Sequence, residues 1–340
     1  MSGTRYGAAG VDLARAESAK ERIAALVARA RTANALGRIG GFGGMVRIPP
    51  GMRSPVLVMS TDGVGTKVLI ARAAGRYDTV GEDLVNHSVN DVLVHGARPL
   101  AFLDYLAGSG LGIETIEAIV RGVARGCETH RMDLAGGETA EMPGLYQPGE
   151  FDLAGTIVGV VEEERAIHGT AIADGQALVG YESTGLHTNG YSLARRIVFE
   201  QQQLRLDDRL GDTGQSVADA LLAVHRSYHA AVTPVLAEVS GLAHITGGGI
   251  PGNLVRILPE GIEARINPYS WDLPPLFRYL QEAGSVTTAE MREVFNLGIG
   301  FIAVVPLAWV SRVREAAAQA GVRTWRIGEV RAGPRGVRFG

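Results

Sequence analysis

Short apolar runs alternate with helical periodicities along the whole chain. In the first half, apolar and β-branched runs predict strands at 55–60, 101–106, 134–135 and 151–161. Segments with helical spacing predict helices at 12–33, 78–95 and 113–130, and Asp78 is placed to cap the second of them. Two glycine-rich segments, 40–44 and 136–144, are predicted to be loops between these elements.

The second half shows a similar mixture. Strands are predicted at 176–182, 262–266, 299–305 and 323–330. Helices are predicted at 191–200, within 216–240, near 252–258, at 273–283 and at 308–320. The polar stretch 201–215 is predicted to be an exposed excursion, and the tail after Val330 has no packing pattern and is predicted to be mobile.

The change between the two halves falls in a charged connection. The run Glu162–Arg165 opens it and Asp174-Gly175 closes it, which places a domain boundary near 165–175. We therefore divide the chain into residues 1–168 and 169–340. Strands mixed with helices in both parts predict two α+β domains rather than one doubly wound sheet.

Composition narrows the class of protein. Apolar residues make up 46% and charged residues 20%, with a formal net charge of −3, which is ordinary for a globular protein and gives no reason to expect nucleic-acid or membrane partners. The single cysteine, Cys127, excludes an intrachain disulfide and a Cys-x-x-Cys metal site, and its helical spacing from Ile116 and Val120 predicts a buried thiol. No run approaches about 20 apolar residues, so we expect a cytoplasmic protein.

The segment Asp62–Lys67 follows the first predicted strand and concentrates unusual chemistry. Gly63 and Gly65 let the backbone approach an anion, Lys67 supplies positive charge, and Asp62 is suited to a metal ion that bridges phosphates. The alternative is a strand-ending turn with a solvated acid and lysine.

A polar stripe runs along the predicted helix 78–95. Asp83, His87 and Asn90 are spaced i, i+4 and i+7, and Asp91 lies beside them. The stripe is either a solvated face or the wall of a cleft. In a cleft, His87 is expected to support the helix rather than bind magnesium, which prefers oxygen ligands.

The predicted loop 136–144 places two acids, Glu138 and Glu141, among paired glycines. A segment that combines so much backbone freedom with two carboxylates is either an ion site or a tight turn with solvated acids.

In the second half, His187 lies between a predicted strand and helix, flanked by Thr188 and Asn189. The histidine either caps the helix or moves a proton near neutral pH. Asn189 and the neighbouring amides suit a substrate phosphate at a helix N-terminus, and Thr246-Gly247-Gly248 offers a second set of close-approach amides. The pattern does not choose between the two loops.

Taken in order, these motifs resemble the aminoimidazole ribonucleotide synthetase family, also called phosphoribosylformylglycinamidine cyclo-ligase, which closes a ring in purine synthesis. The resemblance runs from about Tyr6 to about Val330. It rests on eight segments: 40–44, 62–67, 89–91, 102–105, 136–144, 185–193, 245–249 and 295–300. Several motifs in the right order are more specific than any one of them.

The resemblance implies a fold and a reaction. The fold is α+β with the architecture of this synthetase superfamily: an N-terminal, ATP-binding domain whose mixed sheet with helices pairs with a second subunit's, and a C-terminal α/β sandwich that closes the active-site cleft. The reaction is the ATP-dependent cyclisation of formylglycinamidine ribonucleotide to 5-aminoimidazole ribonucleotide, with release of ADP and phosphate. A homodimer, ATP and Mg²⁺ are implied with it.

The resemblance also assigns residues. The implied magnesium ligands are Asp62, Asp91 and Glu138. The implied nucleotide-binding residues are Gly41, Gly43, Gly44, Gly63, Gly65, Thr66, Lys67, Asn90, Gly137 and Thr139. The implied substrate-binding residues are Thr188, Asn189, Thr246, Gly247 and Gly248. His187 and Lys67 are the expected catalytic residues.

Other functions share some of these features. Thiamine-monophosphate kinase uses ATP through similar acidic and glycine-rich loops, but it is not expected to carry the segment 137–144. Selenophosphate synthetase and the hydrogenase-maturation dehydratase usually carry a reactive cysteine or selenocysteine near the N-terminus, where this chain has none. A non-catalytic nucleotide-sensing module is disfavoured by the intact acid set and the histidine-containing loop.

Overall fold

The computed structural model describes residue 22, residues 24–36 and residues 41–340. The remainder of the predicted helix 12–33 and residues 37–40, which include the first residue of the glycine-rich segment 40–44, lie outside the described residues. The chain forms two compact units: the described residues up to Val92 with Arg98–Glu163, and Leu93–Ala97 with Glu164–Gly340. From Glu164 onward all residues belong to the second unit, whereas the sequence analysis drew the boundary at residue 168. Nothing in the sequence pattern indicates that the short segment Leu93–Ala97 belongs to the second unit.

The first unit is built on a four-stranded mixed sheet. Its strands and helices, in chain order, are β1 (Ala35–Leu36), β2 (Met45–Val46), β3 (Pro55–Gly63), α1 (Lys67–Ala74), α2 (Asp78–Leu93), β4 (Arg98–Gly108), α3 (Ile113–Thr129), β5 (Asp133–Glu141) and β6 (Phe151–Glu162). The sheet order is β3-β6-β4-β5, in which β4 and β5 run parallel and the other neighbours antiparallel. Strands β1 and β2 form a separate antiparallel pair.

Glycines bring α2 close to its neighbours. A Cβ at Gly122 of α3 would lie 1.9 Å from the Asp78 carbonyl oxygen, so the two helix backbones touch there. A Cβ at Gly155 of β6 would lie 2.2 Å from Phe102 Cζ and 3.0 Å from Leu84 Cδ2, so the sheet and α2 meet over this glycine. Because interiors are close-packed, these contacts fix the position of α2 over one sheet face.

The opposite face of this sheet is apolar and exposed. Thr61 of β3 and Leu103 of β4 both pair with Thr156 of β6, so they share that face. Residues two positions away on the same strands share it too, because side chains alternate along a strand. The exposed apolar side chains on this face are Leu57, Met59, Leu103 and Tyr105, at 44, 62, 37 and 41% exposure.

The second unit is a six-stranded sheet with helices on both faces. Its elements are β7 (Ala177–Glu182), α4 (Tyr191–Arg195), α5 (Val217–Leu221), α6 (His229–Val232), β8 (Gly241–His244), α7 (Gly249–Leu254), β9 (Ile262–Ile266), α8 (Pro275–Ala283), α9 (Thr288–Val294), β10 (Ile299–Val305), α10 (Val310–Gln319), β11 (Thr324–Ala332) and β12 (Gly336–Phe339). The order is β12-β9-β11-β7-β10-β8, antiparallel except for β12 on β9.

Successive residues of β10 show that both faces of this sheet are covered. Phe301 and Ala303 belong to a core with Val313 and Ala317 of α10. Ile302 and Val304 belong to a second core with residues of α7, on the other face. The prediction of two domains that mix strands and helices, the second a sandwich, is confirmed.

Several local predictions were wrong. The segment predicted as a glycine-rich loop is strand β5 as far as Glu141, because its backbone pairs with the buried strand β4. The tail predicted to be mobile after Val330 continues β11 to Ala332 and then forms β12, which pairs with β9. Strand β8 and helix α9 had no prediction. The predicted helix 191–200 becomes a π-helical turn at Arg196–Gln201.

Candidate functional site

The end of β3 and one face of α2 form an acidic cluster, which consists of Ser60, Asp62, His87 and Asp91. His87 Nε2 lies 3.0 Å from Asp62 Oδ2 and 3.9 Å from Asp91 Oδ2. The Ser60 hydroxyl donates to Asp91 Oδ2 at 2.8 Å, and the Gly63 N–H donates to Asp62 Oδ1 at 2.7 Å. The structure therefore brings together two of the predicted magnesium ligands, Asp62 and Asp91, around His87, which the sequence analysis expected only to support the helix.

Charge in this cluster is balanced around the buried imidazole. Burial alone lowers the pKa of His87, but its hydrogen bond to Asp62 and the nearby carboxylates outweigh burial and raise that pKa above its ordinary value. Burial raises the pKa of Asp62, yet the contacts with His87 and the Gly63 N–H outweigh it and keep that pKa below its ordinary value. Asp62 is thus held as a carboxylate while half of its side chain, 48%, stays exposed.

Glu138, the third predicted magnesium ligand, points to the opposite face of the sheet from Asp62. Asp62 of β3 pairs with Gly155 of β6, and Gly155 pairs with Asp104 of β4, so both acids point to the helix-covered face. A Cβ at Gly137 would lie 2.2 Å from Asp104 Oδ1, so Gly137 presents that same face. Glu138 follows it on the strand and points to the opposite face.

Asp104 was missed by the sequence analysis. It sits on the same sheet face as Asp62, two strands away at the same register. Burial raises the pKa of its carboxyl to about 7, although its own backbone N–H offsets part of that effect. A single aspartate in a predicted apolar strand gives no indication in the sequence that its carboxyl is buried or that its pKa is raised. Only the register of the sheet reveals it.

Lys67 is not placed to bind phosphate at the surface. It begins α1, its side chain is fully buried, and Nζ lies 2.7 Å from Asp83 Oδ2, which is also fully buried. Burial lowers the pKa of Lys67, and the Asp83 carboxylate opposes that shift. The stripe residue Asp83 therefore pairs with a lysine inside the unit. This position corrects the expectation that Lys67 contacts nucleotide phosphates directly.

The other predicted nucleotide-binding residues differ in how far they are exposed. Gly41, Gly43, Gly65 and Thr139 lie at exposed positions, and Gly65 has a positive φ of 67°. Gly63 and Thr66 are half-buried at the end of β3 and the start of α1. Asn90 is fully buried on α2. Gly44 packs against β5, because a Cβ there would lie 2.3 Å from the Ala135 carbonyl oxygen.

In the second unit the predicted substrate residues form two adjacent loops. We call His187–Asn189 the histidine loop and Thr246–Gly248 the glycine loop. A Cβ at Gly247 would lie 3.4 Å from Asn189 Oδ1, so the two loops are in contact. The two loops that the sequence offered as alternative sites for a substrate phosphate therefore lie side by side.

The histidine loop is held under strain. His187 has a φ of 63°, which is unusual for a residue other than glycine. Its Nε2 accepts from the Thr184 N–H at 3.2 Å, and a Cβ at Gly300 would lie 2.4 Å from its Cε1. The ring is 1% exposed, so its surroundings fix its orientation. Such strain is retained where the neighbouring structure over-determines it.

The glycine loop is held by one buried side chain that the sequence analysis missed. Asn253 of α7 donates through Nδ2 to the carbonyl oxygens of Thr246, Gly247 and Gly249 at 3.3, 3.2 and 2.8 Å. The Thr246 hydroxyl donates to Asn253 Oδ1 at 3.1 Å. The carbonyl oxygens of Thr246 and Gly247 are therefore bound by Asn253, which holds the loop against α7.

Family models match both units. Residues 43–161 match the model described as "AIR synthase related protein, N-terminal domain". Residues 173–340 match the one described as "AIR synthase related protein, C-terminal domain". Together the two matches cover most of the chain.

Curated relatives match over nearly the whole length. The phosphoribosylformylglycinamidine cyclo-ligase of Sorangium cellulosum (strain So ce56) is 50% identical over 329 residues, which are 96% of this chain and 94% of the relative. The enzyme of the same name from Burkholderia mallei (strain SAVP1) is 45% identical over 339 residues, 98% of this chain and 95% of the relative.

Solved structures share the fold at much lower identity. Thiamine-monophosphate kinase from Stenotrophomonas maltophilia K279a has a TM-score of 0.69 and 19% identity, and the match covers 94% of each chain. Hydrogenase maturation protein HypE in complex with ATP has a TM-score of 0.65 and 16% identity, covering 94% of this chain and 90% of that one. These likenesses establish the fold alone. Within the described residues, no helix is both long and apolar enough to span a bilayer.

Proposed function

Since this chain belongs to the phosphoribosylformylglycinamidine cyclo-ligase family, we propose that it is an ATP-dependent C–N ligase that cyclises formylglycinamidine ribonucleotide to 5-aminoimidazole ribonucleotide in purine biosynthesis. The observation that carries the proposal is 45–50% identity to enzymes of that name over at least 96% of this chain. Thiamine-monophosphate kinase is the rival, but its 19% identity supports a shared fold only.

The reaction needs activation of a poor leaving group. In the proposed step, the formyl amide oxygen takes the γ-phosphoryl group of ATP, and ADP departs. The amidine nitrogen then attacks the activated carbon. A C–N bond forms, the C–O bond breaks, phosphate leaves with the oxygen, and a proton is released. In such a transfer the protein mainly positions the reacting groups and stabilises the charge that develops on them.

The acidic cluster fits a magnesium ion. Asp62 and Asp91 offer carboxylate oxygens on either side of one imidazole nitrogen, and Asp62 is exposed and ionised. Two carboxylates completed by phosphate and water are the donor set that magnesium usually takes with nucleotides. Bound there, the ion would neutralise charge on the ATP phosphates. Glu138 remains a proposed third ligand, although it faces the other side of its sheet.

The exposed backbone around this cluster supports the nucleotide part of the proposal. Gly65 has a positive φ, and the backbone continues through Thr66 into α1, whose N-terminal amides favour negative charge. Asp62, at the end of β3, would hold the ion beside these amides. We assign Lys67 to holding this segment through Asp83 rather than to the phosphates themselves.

The adjoining loops of the second unit are the proposed site for the ribose phosphate. In this proposal the phosphate contacts Asn189 of the histidine loop and backbone N–H groups of the glycine loop. Asn253 holds the glycine loop in place through the carbonyl oxygens of Thr246, Gly247 and the following Gly249. His187 is the proposed group that orients the substrate or moves the proton released on ring closure.

The exposed sheet face supports a homodimer, which is part of the proposal. Leu57, Met59, Leu103 and Tyr105 present a contiguous apolar surface that a second sheet of the same kind would cover. Sedimentation should give a dimer, and a monomer independent of concentration would contradict this assembly. We expect a cytoplasmic enzyme, in the compartment that supplies ATP.

The decisive experiment is turnover of purified protein. Phosphate should be released from ATP only when formylglycinamidine ribonucleotide is present, and the organic product should be the imidazole. Rapid hydrolysis of ATP without the ribonucleotide would support a different ATP-using role. Phosphorylation of thiamine monophosphate would assign the chain to the kinase instead.

A further inference from the structure

A buried histidine outside the predicted site touches both loops of the second unit. His225 lies between α5 and α6, and it is fully buried. Its ring stacks on that of His187, with centroids 4.0 Å apart and planes inclined by 22°. Its Nδ1 lies 3.3 Å from the Thr188 hydroxyl oxygen, so the same ring contacts two consecutive residues of the histidine loop.

The other end of this ring reaches the strand that leads into the glycine loop. His225 Nε2 lies 3.1 Å from His244 Nε2, which implies one N–H shared between the two nitrogens. His244 is the last residue of β8, and the glycine loop begins at Thr246. One imidazole therefore joins the two chain segments that supply the amides of the anion site.

The arrangement is suited to positioning rather than to binding a metal. The histidine cluster, which consists of His187, His225 and His244, places its nitrogens within 4.8 Å of one another. Metal-bound imidazoles, however, aim their in-plane lone pairs at one point about 2.0–2.1 Å away. The rings of His187 and His225 are stacked nearly parallel, so their lone pairs run side by side. His187 Nε2 moreover accepts the Thr184 N–H.

We propose that His225 is a positioning residue that holds the histidine loop and the glycine loop in the one arrangement that binds the ribose phosphate of the substrate. The inference rests on the proposed function of these loops. Stacking constrains the strained His187, the Nδ1 contact orients Thr188, and the Nε2 contact ties both to His244. Replacing the ring removes the surface on which His187 stacks and one polar contact from each of two buried side chains, Thr188 and His244, so both loops are held less firmly.

The test compares substitutions that remove one contact at a time. His225→Leu removes both polar contacts. His225→Asn keeps a polar atom near the Nδ1 position for Thr188, and His225→Gln keeps one near the Nε2 position for His244. His229→Leu, on α6 of the same segment, is the matched control. Steady-state kinetics with formylglycinamidine ribonucleotide and calorimetric titration with ribose 5-phosphate give independent readouts.

We expect His225→Leu to raise the KM for the ribonucleotide and the Kd for ribose 5-phosphate about tenfold or more. The KM for ATP should stay within about twofold, because the nucleotide residues lie in the other unit. The Asn and Gln variants should fall between wild type and Leu, and His229→Leu should match wild type. If the Leu variant does not fold, the Asn and Gln variants decide alone.

Four results would overturn the inference. Unchanged KM and Kd in folded His225 variants would reduce His225 to a core residue. An equal loss in His229→Leu would mean that the effect is general destabilisation. A rise in melting temperature with Zn²⁺ in wild type but not in His225→Leu would make the cluster a metal centre. If the wild-type protein does not cyclise the ribonucleotide, the proposed function fails, and the role of His225 is then tested by ribose 5-phosphate binding alone. If the wild-type protein does not bind ribose 5-phosphate either, both the proposed function and the role of His225 are wrong.

Discussion

The Lys67 ammonium and the Asp83 carboxylate form an ion pair inside the first unit, with Nζ 2.7 Å from Oδ2 and both side chains fully buried. The pair joins the first residue of α1 to the helix that carries His87 and Asp91. A buried pair of this kind contributes little net stability but is costly to break, since the remaining charge has no water to solvate it. Lys67 therefore acts on the acidic cluster through the position of α2.

We expect Lys67→Ala to lower the free energy of unfolding by about 3–5 kcal/mol, because it removes the ammonium that pairs with the buried Asp83 carboxylate. The double variant Lys67→Met with Asp83→Leu should recover most of that loss. Arg121→Ala, which breaks the exposed pair with Glu117 on α3, is the control and should cost only about 0.5 kcal/mol. Urea unfolding measures all three. A Lys67→Ala protein as stable as wild type but with a raised KM for ATP would restore the direct phosphate role.

The two carboxylates beside His87 should behave differently from Glu138. Asp62→Asn and Asp91→Asn should each lower kcat about 10²-fold and raise the Mg²⁺ concentration for half-maximal rate, because each removes charge stabilisation from a phosphoryl-transfer site. Glu138→Gln should have the smaller effect if the ion sits on the Asp62 face of the sheet. Magnesium titration at fixed ATP measures this. A Glu138→Gln defect equal to the other two would place the ion within reach of both faces.

The sequence indicated candidate residues where they lie together in one short segment. It gave no indication where the role of a residue depends on contacts with distant segments. Asp62 and Asp91 were proposed as site residues because each lies in a motif, and His187 because glycines surround it. Asp104 and His225 were missed because their significance lies in contacts with distant segments: Gly137 across the sheet, and Thr188 and His244 across the second unit.

The errors in secondary structure have a related cause. The segment 136–141 is rich in glycine, which normally weakens a strand, yet it pairs in parallel with the buried strand β4. Gly137 is required there because Asp104 occupies the space of a side chain. The C-terminal tail likewise forms β12 only because the edge of β9 is available to it. Tertiary pairing overrides local propensity in both cases.

Two glycines of the first glycine-rich segment offer a matched comparison. A Cβ at Gly44 would lie 2.3 Å from the backbone oxygen of Ala135, whereas nothing lies within 4 Å of one at Gly43. Gly44→Ala should therefore lower the unfolding free energy by about 1–3 kcal/mol, and Gly43→Ala by less than about 0.5 kcal/mol. Thermal and urea unfolding compare them. Equal stability of the two variants would mean that the segment moves away from β5 freely.

Asp104 should make stability depend on pH. Burial raises the pKa of Asp104 from its ordinary value of 3.8 to about 7 in the folded protein, so between these limits the folded state holds a proton that the unfolded state has lost. Its contribution therefore falls as pH rises through this window, and the full penalty is present above about pH 7. Asp104→Asn cannot ionise, so its unfolding free energy relative to wild type should increase from pH 5 to 8. Glu114→Gln, at an exposed position on α3, is the control. A difference that does not change with pH would contradict the shift.

His187 combines a strained backbone with a buried imidazole, and the two can be separated by substitution. Its φ of 63° is tolerated by asparagine better than by alanine, so His187→Ala should lose more stability than His187→Asn. If the imidazole orients the substrate or moves a proton, both variants should lower kcat by about 10²–10⁴-fold. The KM for ATP should change little, because the proposed nucleotide-binding residues belong to the other unit. Steady-state kinetics and melting curves on the same samples distinguish these effects. If both variants keep the wild-type kcat and differ from it only in melting temperature, His187 serves to shape the loop and the proton belongs to another group.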